Sequence, residues 1–444
     1  MILDSDRLMS NLIYPTLDLF LYALKSPLNA TEEEINKNQE NFLSQLPDDT
    51  QIKEHDGETE YLELTKPAQI DFKPNDGLEG YYYPVRLNDT YGLQIDCSVK
   101  NPTDPQPAKC FTILKTEIES KLNREVAIIG QTWILSGCLP KDAFQNPEDI
   151  AQDCYYALFN DKNWQQKSTF TFLGGNIFEF RRSQNLNENL DKINSSTGNG
   201  DRHVIIAIYP NQESAEKAAN FYTDWMGLFC YRSKIIWAYW QSRLVKESLI
   251  HHYKKIEETR KIIDRDNYWH NKQNFTTSRK IVKNINDVLQ QYTVDLLKLS
   301  FQKQVIEINL ADYQTRLNFI KEKAGKDNQL DLFEDFINLA NRKYLLQITK
   351  DIENMQLGLQ LLEDTINAIR SHIEVEKAAR DRNFQELVAV VGAGVATVSL
   401  LKEPVKECKD IFSKTDICNY PFSFSLAIGV LVGFGFWLLR KRLL

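Results

Sequence analysis

Val282–Ile320 reads VKNINDVLQQYTVDLLKLSFQKQVIEINLADYQTRLNFI. Its apolar residues step by three and four: Val282, Ile285, Leu289, Tyr292, Leu296, Leu299, then Ile306, Leu310, Tyr313, Leu317 and Ile320, with Lys303 interrupting. A second seam runs Leu345, Ile348, Ile352, Met355, Leu359, Leu362, Ile366, Ile369, Ile373. A strict heptad keeps one stripe of a helix turned towards a partner along a left-handed supercoil. Between the seams lies KAGKDNQ, where Gly325 and Asn328 stop one helix and Asp327 caps the next. The two helices therefore return on each other as an antiparallel hairpin. Heptads serve pairing within one chain and between chains equally well. A third helix is predicted from near Asn211 through Lys234–Ile263, ending in the polar stretch 264–274. The last helix, from about Leu330, carries only Gly358 within its seam, which predicts an unbroken rod. A three-helix bundle that merely holds a domain off a bilayer is the plainer alternative.

The C-terminal stretch PFSFSLAIGVLVGFGFWLLRKRLL, Pro421–Leu444, is uncharged as far as Leu439. As a helix it would reach roughly 28 Å at about 1.5 Å per residue, close to a bilayer's hydrocarbon thickness of about 30 Å. Trp437 and the cluster Arg440, Lys441 and Arg442 suit a membrane interface. Leu387–Leu401 is shorter, about 22 Å, and rich in small residues that allow close packing or line a pore. A re-entrant or purely packing helix is the alternative there. The expectation is a two-helix transmembrane hairpin in an inner membrane. Basic residues at both ends (Lys377, Arg380 and Arg382; Arg440, Lys441 and Arg442) put both termini in the cytoplasm. Cys408 and Cys418 then fall in an external loop, where they could pair as a disulfide.

Residues up to about Tyr209 predict a mixed α/β domain, with strands at Gly80–Val85, Leu93–Val99, Val126–Leu135, Thr169–Arg181 and His203–Tyr209. A helix is predicted over Asn146–Asn160, and polar loops over Lys37–Glu58 and Asn185–Asp201. The first two dozen residues lack the basic start of a signal peptide, and Asp4, Asp6, Pro15 and Asp18 interrupt their apolar run. A net charge of −8 argues against a nucleic-acid polymer as partner, since that surface must neutralise phosphates. No phosphate loop, GxSxG, HExxH or EF-hand pattern occurs, and the seven cysteines form no CxxC pair. These absences predict no catalysis, metal or cofactor. His251 and His252 are adjacent on a helix and diverge, so they make a poor metal pair. Gly174-Gly175, followed by Phe178, Phe180, Arg181 and Arg182, could bring backbone and cations to a small anionic ligand; a bulge with a charged strand end is the simpler reading. The Gly198–His203 loop precedes a strand and lacks the geometry of a dinucleotide fingerprint.

The chain is thus expected to be α+β, in four parts: a mixed α/β cytosolic sensor domain (1–210), a coiled-coil hairpin (211–329), a stalk helix (330–386) and a transmembrane hairpin with a basic tail (387–444). In that order of parts, carried by NFQELVAVVGAGVATVSLL and the terminal RKRLL, it resembles the CorA-like family of divalent-cation transporters. The resemblance implies a homo-oligomer, a pentamer in that family, with the first membrane helix lining a pore at Asn383, Gly392, Gly394, Thr397 and Ser399. The family's Gly-Met-Asn signature is missing, its place taken by LLKEPVKEC, and the external loop is longer. The expected function is a channel gated by its cytosolic domain. CorA-like proteins repurposed as membrane effectors of bacterial defence, answering a nucleotide messenger, fit that loss of the filter. A magnesium-type transporter without the signature and a coiled-coil membrane tether are the alternatives.

Overall fold

A computed structural model describes residues 10–27, 30–53, 60–122, 128–141, 145–160, 164, 168–183, 201–263, 275–325 and 328–377. The chain divides into two compact units, Met1–Ser248 with Asp295–Met355, and Leu249–Val294 with Gln356–Leu444.

The first unit is built on a ten-stranded sheet. Its elements in chain order are β1 (Asn11–Leu24), α1 (Glu32–Leu43), β2 (Tyr61–Glu63), β3 (Ile70–Phe72), β4 (Leu78–Leu87), β5 (Thr90–Val99), β6 (Gln106–Pro107), α2 (Cys110–Ser120), β7 (Gly130–Cys138), α3 (Pro147–Phe159), β8 (Ser168–Phe172), β9 (Gly175–Ser183) and β10 (Asp201–Tyr209). Strands lie in the order β2-β4-β5-β1-β7-β10-β9-β8, with β3 on β4 and β6 on β1. β7 and β10 run parallel; β1 is antiparallel to both β5 and β7.

β1 is the centre of the sheet and the element the sequence reading passed over. Leu17, Leu19 and Leu21 point to one face, Phe20 and Tyr22 to the other, and all are buried. A strand covered on both sides reads as a near-continuous apolar run, not as an alternation. Pro15, which has no N–H to give, sits where the β1–β7 register shifts between Ile13 and Thr16, beside Tyr14 at φ 49°. The single strand expected over Thr169–Arg181 is instead a hairpin. Leu173 (φ 50°) and Gly174 (φ 80°) form its two-residue turn, the backbone that matches strand twist.

On one sheet face Leu19, Ile95, Leu135, Phe178, Phe180 and Ile206 pack with Phe111 and Leu114 of α2 and Ile150, Cys154 and Leu158 of α3. Asn146 caps α3 from the front, accepting from the Glu148 N–H, and Asn160 closes it in a left-handed conformation. The helices that follow are α4 (Gln212–Ala219), α5 (Tyr222–Ile263), α6 (Phe275–Ala324), α7 (Asp331–Leu339) and α8 (Leu346–Lys377), of which α5 and α7 pack on the opposite face. The single third helix expected from Asn211 is two, because α4 ends at Ala219 and helix resumes at Tyr222. Phe20 stacks on Tyr222 and meets Phe229 edge-on; Trp225 lies among Phe172, Phe229 and Phe333.

The seam of α6 is buried from Ile285 to Ile320, and Gly325 (φ 87°) ends the helix. The amide of Asn328 then donates to the Ala324 carbonyl, while its side-chain oxygen accepts from the Leu173 N–H. The turn between α6 and α7 is thereby pinned on the β8–β9 hairpin. α7 passes into α8 through a π-helical segment, Ala340–Leu345, so the backbone is helical from Asp331 to Lys377. The cause is visible in the spacing. Phe333, Phe336 and Ala340 step by three and four, but the next apolar seam residue, Leu345, is five on; a wider turn absorbs the extra residue.

The expected fold class, α+β closing in a two-helix transmembrane hairpin, is corrected. The described chain is a mixed sheet layered by helices, and among the described residues no helix is long and apolar enough to cross a membrane. The physical reason is amphipathicity: α5, α6 and α8 each bury one apolar stripe and carry charges around the rest of the turn. Leu387–Leu401 and Pro421–Leu439, with Asn383, Gly392, Gly394, Thr397, Ser399, Cys408, Cys418, Arg440, Lys441 and Arg442, lie outside the described residues.

In the second unit Leu249 and Ile256 of α5, Ile285 and Tyr292 of α6, and Leu359, Leu362 and Ile366 of α8 are buried. Gly358 sits here for want of room: a Cβ on it would stand 2.7 Å from the Tyr292 hydroxyl and 3.7 Å from the Tyr253 ring. Gly358→Leu should therefore lower the unfolding free energy in urea by about 1–3 kcal/mol through overpacking. A gain of about 1 kcal/mol, the helix-propensity effect alone, would show that the tyrosines do not close on this position.

Candidate functional site

Three neighbouring strands place polar side chains on the helix-covered face of the sheet. In the period-two register Thr132 of β7, His203 of β10 and Arg181 of β9 fall side by side, and Glu179 follows Arg181 two residues away. The Thr132 hydroxyl and His203 Nδ1 are 2.9 Å apart, and His203 Nε2 is 2.8 Å from Glu179 Oε1. Arg181 Nε donates to the same Glu179 oxygen at 2.7 Å, and its Nη2 donates to the Leu332 carbonyl of α7 at 3.1 Å. The guanidiniums of Arg181 and of Arg232, from α5, both stand over the Phe336 ring of α7, at 5.6 and 5.3 Å. Tyr313 of α6 packs against that ring at 5.2 Å. One buried patch of sheet thus holds α5, α6 and α7 together.

Protonation states follow from the geometry. Burial, and then Arg232, push His203 down to about 4 against the pull of Glu179. The ring is therefore neutral at pH 7. A carboxylate only accepts, so Nε2 carries the proton and donates to Glu179, while Nδ1 accepts from Thr132. Burial alone would raise Glu179, but His203 and Arg181 outweigh it and hold the acid at about 2. With His203 neutral, the charge opposite Glu179 at pH 7 is that of Arg181, and His203 contributes its N–H.

Hydroxyl, imidazole and carboxylate in line are the order of a nucleophile, base and acid. Here Thr132, Glu179 and His203 are each 0% exposed, so no external substrate touches the hydroxyl. The arrangement orders protons inside a lock.

A second polar group lies on the same face. Asp18 of β1 and Asp96 of β5 are register partners, and both are buried. Gln94 donates to Asp18 Oδ1 at 2.8 Å and the Tyr222 hydroxyl of α5 to Oδ2 at 2.7 Å. Two ionised carboxylates on buried register partners repel each other without water to screen them, so the pair keeps a proton. Burial raises Asp18 to about 6; burial and then the Asp18 charge raise Asp96 well above the usual carboxylate range.

Of the sequence-predicted residues, Arg181 is spent on these internal partners. Arg182 pairs through its backbone with Arg202 of β10. Gly174 is hairpin turn, and Gly175 packs on Tyr209. His251 and His252 line an open groove of about 420 Å³ in the second unit with Lys255, Asn284, Asp287 and Gln291. Among the described residues no group of three or more His, Cys, Asp or Glu side chains could hold a metal. Burial pushes the thiols of Cys97, Cys110 and Cys230 up to about 12, away from nucleophilic character. Sequence reasoning missed His203, Glu179 and Asp18, because a polar residue beside apolar strand neighbours points to the other face and reads as solvent-facing unless that face is covered too.

No protein-family model, curated protein or solved structure matches the chain.

His203 supplies a pH test. Its folded value lies below the ordinary histidine value of about 6.5, so its contribution is whole above that pH and is lost as pH falls towards 4. Asp18 works the other way, costing stability as pH rises from its ordinary value to about 6, so wild type must be compared with a variant. The excess stability of wild type over His203→Gln should shrink by about 3 kcal/mol between about pH 7 and pH 4 in urea titrations. An unchanged excess would mean that His203 is not held neutral.

Proposed function

We propose that this chain is a sensor and transducer whose copies assemble as a gated channel at a bilayer, of the CorA-like kind. The observation that carries the reading is the lock at Glu179, Arg181 and His203. It joins Arg232 of α5, Tyr313 of α6, and Leu332 and Phe336 of α7 to one patch of sheet. A change in that patch reaches all three helices at once, and α5, α6 and α8 each contribute residues to both units. Packed cores switch between discrete arrangements and do not deform continuously, so such a joint suits two-state signalling.

The two-helix transmembrane hairpin is not part of this proposal. Its bilayer side rests on composition, the uncharged 421–439 followed by Arg440, Lys441 and Arg442. The missing Gly-Met-Asn signature turns it away from hydrated magnesium as cargo. Arg181 is committed to Glu179, Leu332 and Phe336, so the sensed ligand is not assigned to it.

The test is ion efflux from liposomes carrying the purified full-length chain. Efflux above protein-free vesicles is expected, altered severalfold by Phe336→Leu with helical content unchanged. Silent vesicles with correctly folded, membrane-bound protein would leave a tether as the function.

A further inference from the structure

We propose that the Asp18–Asp96 pair is a protonation switch, in which one shared proton holds the start of α5 on the sheet. The inference rests on the transducer reading and adds a regulator, the proton. Its basis is placement. The two carboxyls face each other across the central strands β1 and β5, both buried. Asp18 accepts from Gln94 and from Tyr222, which favours its ionised form and leaves the proton with Asp96.

The groups facing the pair are Tyr14 of β1, Glu79 and Tyr81 of β4, Gln94 of β5, Tyr209 of β10 and Tyr222 of α5. Those that titrate are acids or phenols, and none is a cation. Tyr14 donates to Glu79 at 2.6 Å, which leaves a second acidic group at the half-exposed edge of the cluster. None of these groups compensates a second negative charge once the shared proton leaves.

The link to the helix is Tyr222, the first residue of α5. Its hydroxyl spans to Asp18, and its ring stacks on Phe20, two residues along β1. A doubly ionised pair must separate or draw in water, and either movement disturbs the Tyr222 contact. The sign follows. Both folded values lie above that of free aspartate, so the contribution is whole at low pH and is lost in two steps as pH rises, first as Asp18 ionises at about 6 and then as the shared proton leaves Asp96. Alkalinisation loosens α5; acidification seats it.

Hydrogen exchange on the full-length protein, corrected for intrinsic rates, tests this at the amides of 222–230. Wild type should lose about tenfold or more in protection there between about pH 5 and pH 9, while Asp96→Asn, whose amide donates to Asp18 at every pH, should stay flat. Equal losses in both proteins, or none in wild type, would overturn the switch. If Asp96→Asn does not fold, carbon-13 spectra of aspartate-labelled wild type decide: one carboxyl titrating above about pH 6 is expected, and full ionisation of all aspartates below about pH 5 refutes it. Liposomes silent at every pH would refute the channel reading and leave the exchange result standing.

Discussion

Glu179 is a carboxylate with no access to water, and the first unit is arranged around keeping it charged. Leaving such a group unpaired costs several kcal/mol, so Arg181 and His203 must stay within hydrogen-bond reach of it. Arg181 in turn needs the Leu332 carbonyl, and the two guanidiniums share the Phe336 ring. α7 is tied to this ion through the Leu332 carbonyl, and α5 meets the same patch through Arg232 over the Phe336 ring. Apolar contact alone would allow α7 to slide. The lock fixes its register.

That register explains the π segment. α7 is fixed from the sheet side by Leu332, Phe333 and Phe336. α8 is fixed from α5, where Arg243 and Lys246 both hold Asp351 and Tyr239 stacks on Tyr344. The two anchors are one residue out of phase, and six residues of wider helix between them take up the difference. The polar lock and the apolar seam make separate demands on one continuous helix.

Much of this was legible in the sequence, and the losses are instructive. The seam Ile285–Ile320 declared itself, since every stripe residue is needed and periodicity survives one interruption at Lys303. Asn146 and Asn160 marked α3 because caps act locally. β1 was illegible as a strand for the reason that makes it central: burial on both faces erases alternation, and Pro15 and Asp18 make it look broken. The lock could not be read because its partners meet only in the fold. Glu179 and His203 are 24 residues apart, and Arg181 and Leu332 are 151 apart. The five-residue step from Ala340 to Leu345 was readable and marks the π segment. The hairpin at Leu173-Gly174 was readable too, once two positive φ angles are preferred to a bulge.

We propose that the sheet is the input and an assembly of helices at a bilayer the output. Single-particle imaging of the full-length protein in lipid nanodiscs tests that most directly. A closed ring of copies, about five by the CorA-like resemblance, about an axis with a continuous path is the predicted result. A monomer, or a two-fold dimer with no axial path, would contradict it.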